Sequence, residues 1–387
     1  MSKLGSLGMI TQSHIASVVG KFRASWVDAS RRESEQRRLA RIEQSPQFHQ
    51  SKVINRLPRV ASNESMSSVM KKFFFERSTL KPQNALPYQP VDIELLYSKP
   101  LSPRVTWLGH SSLYVEIDSV KLLIDPVFEY ASPWAVKRMF ARNVSSPITR
   151  EKLPTPDAIV ISHDHYDHLE KSTVRFYADK GVQFIVPLAV GRHLEKWGVA
   201  PDKIEELDWW ESTLIGSVEL TATPANHNSG RTGFDSNSTL WASWVIKGVS
   251  GSLFYSGDTA YDNHFKQIGE RFGPFDIAFI EVAANVKNGI GYPVENWGHM
   301  QARHTANAYQ DLQANILMPV HWSTFELFAH RWDEPIEDLR QEAQQIGAEL
   351  ITPMIGESFE IHSEINSTRW WESPEYHLTK VDYSYSG

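Results

Sequence analysis

The sequence predicts an α/β fold in which mixed β-sheets are flanked by helices. Nine apolar runs rich in β-branched and aromatic residues lie between residues 104 and 283, and such runs are typical of strands. The earlier runs are joined by tight turns, whereas the later ones alternate with segments of helical periodicity. That order of elements is typical of a mixed sheet system covered by helices.

The predicted strands are apolar on alternate residues or continuously, as expected for strands buried on one face or on both. In chain order they read RVTWLGHSSLYVEID, VKLLIDPVF, DAIVISH, VQFIVP, IEELDWW, VELTATPANH, SWVIKG, SLFYSGD and DIAFIEVA. Apolar residues at helical spacing predict helices at 170–180, 188–198, 262–272, 303–314 and 335–346.

The length of 387 residues is enough for one large domain with extensions. We predict three parts. Residues 1–100 form a helical and irregular extension, residues 101–362 form the main domain, and residues 363–387 form a tail rich in aromatic and polar residues. Proline-rich connections before residue 104 separate the extension from the first strand.

Composition excludes several classes of protein. The formal net charge of −7 argues against a nucleic-acid-binding protein, which would carry a basic domain. The chain has no cysteine, so disulfides, thiolate nucleophiles and cysteine-held zinc are excluded. It has neither an apolar run of about 18 residues, as a membrane-spanning helix needs, nor a recognisable secretory leader. We therefore expect a cytoplasmic protein, whose oligomeric state the sequence leaves open.

The N-terminal segment has two interpretations. Five apolar residues fall at helical spacing: Ile15, Val18, Val19, Phe22 and Trp26. Between residues 21 and 43, seven lysines and arginines oppose four aspartates and glutamates. Residues 11–43 therefore suit an interfacial helix that contacts anionic lipid at the membrane surface. They also suit a surface helix that packs on the main domain, and we favour this interpretation because it is the commoner arrangement.

The stretch ISHDHYDHLE follows the apolar run DAIVI and places three histidines and two aspartates within six positions. Imidazole nitrogens and carboxylate oxygens are ligands for zinc, and also for iron or manganese. Four good donors lie on this short loop: His163, His165, Asp167 and His168. One loop cannot wrap all four around a single ion, so the spacing favours a loop that divides its ligands between two metals.

Three further donors follow apolar strand-like runs elsewhere in the chain. His227 ends TATPANH, Asp258 ends LFYSGD, and His321 ends ILMPVH. Strand ends can converge at one edge of a sheet system, which would bring five histidines and two aspartates together. If Asp258 bridges, each ion has four protein contacts and a water can lie between the metals.

These residues resemble the signature of the metallo-β-lactamase superfamily, His-x-His-x-Asp-His followed by His, Asp and His. Longer phrases resemble the branch of N-acyl-phosphatidylethanolamine-hydrolysing phospholipases D, among them WLGHSSLYVEID, LLIDPVFEYASP, YSGDTAYDNHFKQIGERFGPFDIAFIEV and VHWSTFELFAHRWDEP. The resemblance covers residues 100–362. It implies a four-layer αβ/βα sandwich of two mixed β-sheets with two zinc ions at one edge.

The resemblance also implies a ligand assignment. One zinc is expected on His163, His165 and His227, the other on Asp167, His168 and His321, with Asp258 between them. Two such ions would activate a water for attack on a phosphodiester, or on the carbonyl carbon of an ester or lactone. The substrate expected from the branch is a phosphodiester or lipid-like small molecule.

Other residues receive supporting roles. Asp167 is a ligand that can also orient the attacking water, and His299 is a candidate substrate-contacting or proton-donating residue. His330 is a weaker candidate for the substrate side. Asp125 is expected to support the ligand loop by hydrogen bonding to a histidine or a backbone N–H, and His110 either to do the same or to be part of the structure at a strand end. Packing or hydrogen-bonding roles are expected for the two residues between the ligands of the loop, Asp164 and Tyr166.

Three alternatives remain open at this point. A lactonase or other small-molecule ester hydrolase would use the same pair of metals. A di-iron redox protein would use the same ligand set, although no flavin-binding domain is apparent. A non-catalytic metal scaffold is a third class, which the complete ligand set disfavours.

Overall fold

The structure is a computed structural model that contains two seven-stranded mixed sheets and the helices packed on them. The α/β sandwich predicted from the sequence is confirmed. The description covers residues 29–57, 81–133, 136–137, 140–283, 298–325, 327, 330–365 and 367–373.

The first large sheet has the strand order β16-β3-β4-β5-β6-β7-β8. Its strands β16, β3, β4 and β5 pair antiparallel, whereas β5 to β8 pair in parallel. The bounds are β3 Arg104–Gly109, β4 Ser112–Ile117, β5 Val120–Ile124, β6 Ala158–Val160, β7 Gln183–Pro187, β8 Ile204–Leu207 and β16 Ser358–Glu360.

The second large sheet has the order β15-β14-β13-β12-β11-β10-β9, antiparallel from β9 to β12 and parallel from β12 to β15. The bounds are β9 Ser212–Ile215, β10 Val218–Thr223, β11 Ser243–Lys247, β12 Ser252–Tyr255, β13 Phe275–Glu281, β14 Ala314–Val320 and β15 Glu349–Leu350. A separate hairpin pairs β1 Phe48–His49 with β2 Lys52–Val53.

The nine strand-like runs of the sequence all contain strands of these sheets. Strands β9, β15 and β16, which lie at the edges of the two sheets, are not among the predicted strands. These strands are short and partly exposed, so they lack the apolar run that marks a buried strand.

The side-chain alternation along β4 and β5 explains how the first sheet is covered on both faces. Leu113, Val115 and Leu122 belong to the core cluster shared with the second sheet. Tyr114 and Leu123 point the other way and pack with the outer helices. Because successive side chains of a strand face opposite sides, one apolar sequence run fills two layers of the sandwich.

Helices were predicted at five places, and all five are confirmed. They are α3 Lys171–Tyr177, α4 Gly191–Trp197, α5 His264–Phe272, α6 Ala302–Leu312 and α7 Glu334–Ile346. The chain also has helical residues 29–44 (α1) and a short helix at Ile93–Tyr97 (α2). Helices α4 and α7 end at Gly198 and Gly347, whose positive φ suits glycine at a helix end.

Helix α1 packs on the main domain through a buried arginine. The Arg38 side chain is 1% exposed and forms ion pairs with Glu195 and Glu206 at 2.5 and 2.7 Å. Ile42, one turn further, is part of the main core. This contact fits the interpretation of residues 29–43 as a packed surface helix, while the apolar stripe from Ile15 to Trp26 lies outside the described residues. No helix among the described residues is both long and apolar enough to cross a bilayer.

The first part of the predicted C-terminal tail lies against the same core. Trp370 stacks on Trp322 with ring centroids 5.3 Å apart, and Trp322 stacks in turn on Trp107 at 5.6 Å. The indole nitrogen of Trp371 donates a hydrogen bond to Glu337 of α7 at 2.5 Å. Residues 374–387 lie outside the described residues, and the division into three parts stays a prediction.

We predict that Arg38→Ala lowers the free energy of unfolding by about 3–5 kcal/mol, because it leaves two buried glutamates without their cation. The matched control is Arg37→Ala on the same helix. The ion pair of Arg37 with Glu33 is exposed, so its loss should change stability by no more than about 0.5 kcal/mol. Urea unfolding of both variants measures the difference, and equal values would contradict the docking of α1.

Candidate metal centre

The predicted donors converge because the strands that carry them end at the same edge of the molecule. The loop that begins after β6 carries His163 to His168, and His227 follows β10. Asp258 follows β12, and His321 follows β14 directly. All seven predicted ligands are buried or nearly so, and the structure brings all of them together.

The first group contains His163, His165, His227 and Asp258, whose ligand atoms all lie within 4.8 Å of one another. Nδ1 of His165 is 2.9 Å from Nε2 of His163 and 3.2 Å from Nε2 of His227. Oδ2 of Asp258 is 3.7 Å from Nε2 of both His163 and His227. Three nitrogens and a carboxylate oxygen therefore face a common point.

The second group contains Asp167, His168 and His321, with His110 beside them. Oδ2 of Asp167 is 3.4 Å from Nε2 of His168 and 3.5 Å from Nε2 of His321. Asp258 reaches this group as well, because its Oδ1 is 3.1 Å from Nε2 of His168. One carboxylate thus lies within reach of both groups.

The donor atoms of this cluster suit a cation. Within the described part of the chain, Nε2 of His168, Nε2 of His321 and Oδ1 of Asp258 are buried and lack a hydrogen bond. Buried polar atoms are rarely left in this state unless they bind water or an ion. All three atoms point into the cluster, so the residues fit the metals that the sequence predicts.

Comparison with known proteins identifies the family. A family model described as a beta-lactamase superfamily domain matches residues 121–322. An uncharacterized protein of Mycobacterium tuberculosis is 34% identical over 339 residues, which cover 85% of this chain and 88% of that protein. The chain belongs to the metallo-β-lactamase superfamily.

Two other similarities agree with this membership. N-acyl-phosphatidylethanolamine-hydrolyzing phospholipase D 1 of Caenorhabditis elegans is 30% identical over 57% of this chain and 64% of that protein. The structure of Igni18, a metallo hydrolase from the archaeon Ignicoccus hospitalis, has a TM-score of 0.51 at 20% identity and covers 67% of this chain and 99% of that one. At the level of the family, the predicted metal-dependent hydrolase is confirmed.

In this superfamily member, each of three histidines is oriented through its second ring nitrogen. Nδ1 of His168 donates to Asp125 at 2.7 Å, and Nδ1 of His227 donates to the carbonyl of Gly298 at 2.6 Å. Nδ1 of His163 lies 3.0 Å from Oγ of Ser162. Such contacts fix the tautomer and leave Nε2 with its lone pair for the cluster.

Asp125 holds the ligand loop, as the sequence analysis predicted. Its Oδ1 accepts the backbone N–H of Ser162 at 2.7 Å. Its Oδ2 accepts the Ser162 hydroxyl at 2.5 Å, the Tyr255 hydroxyl at 2.6 Å and the His168 ring at 2.7 Å. Four donors on one buried carboxylate tie β5, the ligand loop and β12 together.

The two residues between the ligands, Asp164 and Tyr166, have hydrogen-bonding roles, as predicted. Asp164 accepts hydrogen bonds from Gly230 N at 2.8 Å and from the Thr239 hydroxyl at 3.0 Å. The Tyr166 hydroxyl donates to the carbonyl of Arg231 at 2.8 Å. The Arg231 guanidinium lies 3.9 Å from the centre of the Tyr166 ring and donates to the carbonyls of Asp164 and Leu169. These contacts stabilise the conformation of the ligand loop.

The pKa values of the buried histidines are shifted in two opposite directions. Burial and the neighbouring rings hold the pKa of His163 and His227 well below the usual value, which disfavours the charged form of both rings. Burial also opposes the charged form of His168 and His321, but nearby carboxylates, Asp258 foremost, raise the pKa of both. Burial opposes the charged form of Asp258, yet His168 and His321 keep its pKa well below the ordinary value. The carboxylates therefore attract positive charge to the cluster.

The backbone is strained where three of the site residues lie. His110, Asp125 and His321 have φ values of 52°, 39° and 70°, in the left-handed region that non-glycine residues rarely adopt. Such strain collects at functional sites, where the surrounding structure enforces it. The backbone N–H of His110 is held in this conformation by a hydrogen bond that it donates to the Thr324 hydroxyl at 2.6 Å.

His299 and His330, the two candidates for the substrate side, both lie near the cluster. The His299 ring is 4.9 Å from His227 and 5.1 Å from His321. His330 lines a small pocket that opens beside His321 and has both imidazole and apolar walls. The other lining residues are His110, Ala283, Trp322, Ser323, Phe325 and Leu327.

Two residues at the site were missed by sequence reasoning. Glu281, the last residue of β13, is fully buried and accepts a hydrogen bond from His299. The sequence predicts only a strand there, although a glutamate at the end of an apolar run is a signal that could have marked it. Asn55 donates to the carbonyl of His227 at 2.5 Å. It lies in the N-terminal extension, and nothing in the local sequence marks that contact.

We predict that Asp125→Asn weakens metal binding by about 10–100-fold, the usual effect of losing a residue that orients a ligand. An amide presents one acceptor and one donor group to four donors, so it cannot satisfy them. Unmet hydrogen bonds should also lower the free energy of unfolding by about 1–3 kcal/mol.

Competition with a chelating dye measures the affinity, and urea unfolding measures the stability. The control is Asp202→Asn, a change at an exposed position before β8. Equal metal affinity for the two variants would show that Asp125 does not orient the site.

Proposed function

We propose that the protein is a zinc-dependent phosphodiesterase of phospholipase D type that acts on a lipid-like substrate such as N-acyl-phosphatidylethanolamine. The observation that carries the proposal is the position of Asp258, whose carboxylate is shared by two groups of buried donors. Similarity to the phospholipase D of Caenorhabditis elegans supports the choice of a phosphodiester.

In this proposal His163, His165 and His227 would hold one zinc ion, and Asp167, His168 and His321 would hold the other. Asp258, whose oxygens lie within reach of both groups, would contribute to both. Neutral imidazoles and carboxylates in a buried setting are ligands that zinc prefers, although iron and manganese accept the same set. When bound, two such ions would supply Lewis acidity and an activated water at neutral pH.

The chain's own residues orient the reactants. Oδ2 of Asp167 lies 3.2 Å from Nε2 of His110, and this contact holds the carboxylate in place while it orients the attacking water. His299 also lies beside the cluster, and its Nδ1 is 3.8 Å from Oδ2 of Asp258. In this position His299 can contact the substrate or transfer a proton to the departing alcohol. The apolar walls of the pocket beside His321 exclude water from one side of the reacting group.

The first experiment combines elemental analysis of the purified protein with hydrolysis of bis(p-nitrophenyl) phosphate before and after chelation. Two zinc ions per chain and chelator-sensitive turnover support the proposal. Release of phosphatidic acid from N-acyl-phosphatidylethanolamine in mixed micelles then tests the lipid substrate. Hydrolysis of lactones or p-nitrophenyl esters in place of phosphodiesters would indicate the ester hydrolase, and two irons without hydrolysis would indicate a redox protein.

We predict that Asp258→Ala removes at least one of the two metals and abolishes phosphodiester hydrolysis, because both groups lose a shared oxygen. The control is Asp262→Ala, four residues further along the same loop. Asp262 pairs with Arg56 and belongs to neither group, so that variant should retain both metals. An Asp258→Ala protein with two metals would contradict the shared role of Asp258.

We also propose that the N-terminal segment makes peripheral contact with membranes within residues 11–43. Since Arg38 and Ile42 pack on the main domain, the contact is assigned to the apolar stripe that precedes them. Deletion of residues 1–28 should therefore reduce binding to vesicles that contain phosphatidylserine, measured by co-sedimentation. Vesicles of phosphatidylcholine alone provide the control, and unchanged binding to the anionic vesicles would contradict the membrane contact.

A further inference from the structure

Glu281 forms a buried contact that the proposed mechanism does not use. Its side chain is completely buried at the end of β13. Within the described residues no lysine or arginine forms an ion pair with it, and its nearest ionisable neighbours are the rings of His299 at 2.8 Å and His321 at 3.9 Å. A carboxylate in such a place needs fixed hydrogen-bond donors.

Two donors satisfy Glu281, one on each oxygen. Oε1 accepts the backbone N–H of Thr259, the residue after Asp258. Oε2 lies 2.8 Å from Nδ1 of His299. A backbone N–H can only donate, and a carboxylate can only accept. In the neutral form of the His299 ring, the proton therefore lies on Nδ1, facing Oε2, and the lone pair lies on Nε2.

We propose that Glu281 is a positioning residue that fixes the orientation and the tautomer of His299, so that Nε2 of His299 is the atom that exchanges a proton during hydrolysis. The inference rests on the proposed hydrolase function for its chemistry, but the tautomer itself is a property of the folded chain. In serine proteases, a buried carboxylate likewise accepts the Nδ1 proton of the catalytic histidine and so fixes its tautomer and orientation.

The proton transfer balances within the proposed reaction. The oxygen of water forms a bond to phosphorus while the bond between phosphorus and the departing alcohol oxygen breaks. One proton of the water passes to Nε2 of His299 and then to that alcohol oxygen. His299 returns to its starting form. Its Nδ1 keeps its own proton, hydrogen-bonded to Glu281, throughout the reaction.

Glu281→Gln tests this role selectively. The glutamine oxygen can accept the Thr259 N–H, but the NH2 group then faces Nδ1 of His299. Because the NH2 group donates, Nδ1 of the neutral ring must accept the hydrogen bond with its lone pair. The ring proton then lies on Nε2. We expect kcat to fall by about 10²–10⁴-fold, the range of general acid–base catalysis, with KM little changed and both metals retained.

The tautomer can be read directly from the nitrogen shifts and couplings of ¹⁵N-histidine in the zinc-loaded proteins, with His299→Gln used to assign the signals. Protonated Nδ1 in the wild type and protonated Nε2 in Glu281→Gln support the proposal. The same tautomer in both proteins would overturn it. Because this reading needs no substrate, it remains decisive even if the protein hydrolyses no phosphodiester and the proposed function fails.

Metal content separates positioning from ligation. Asp258, Glu281, His299 and His321 also lie within 4.8 Å of one another as a group that could hold a cation. Loss of a metal in Glu281→Gln would make Glu281 a ligand and overturn the positioning role. The matched control is Glu116→Gln, another buried glutamate, which pairs with Arg104 away from the cluster and should keep the His299 tautomer and the wild-type kcat.

Discussion

The site depends on the burial of one carboxylate, that of Asp258. Its side chain is 1% exposed, and nitrogens of four histidines lie 3.1–3.7 Å from its two oxygens, namely those of His163, His168, His227 and His321. A buried charge is tolerated only when it is paired or bound to a metal. Cations bound among these groups would meet that requirement and also supply the reactivity of a hydrolase.

A second set of contacts keeps this arrangement rigid. Asp125 accepts four hydrogen bonds behind the ligand loop. Glu281 accepts two from the other side. The Arg231 side chain donates hydrogen bonds to two backbone carbonyls of the ligand loop, those of Asp164 and Leu169. These contacts fix the orientation of the ligands, and contacts of this kind control the affinity of metal sites.

The N-terminal extension is a part of this framework. Arg38 fixes α1 to the main domain through Glu195 and Glu206. Further along, Asn55 reaches the carbonyl of His227. A segment that the sequence marks only as a charged and amphipathic extension thus contacts the backbone of a predicted ligand.

Much of the fold and of the donor set could be predicted because the signals are local. Apolar runs mark the buried strands, and a loop such as that from His163 to His168 carries its chemistry within six positions. Residues after strands, such as His227 and Asp258, are also visible, since the end of an apolar run is read from the sequence itself. The short edge strands, and the hydrogen bond from Asn55 to the carbonyl of His227, have no such signal in the local sequence.

The sequence by itself determined the family, the layered architecture and the types of ligand, because these follow from residue type and short spacing. Only the tertiary structure gave the distances between these donors and Asp258 and showed that Glu281 faces His299. Those contacts join positions from 18 to more than 90 residues apart. Packing of the two sheets creates them, and a one-dimensional pattern carries no record of which strand ends will meet.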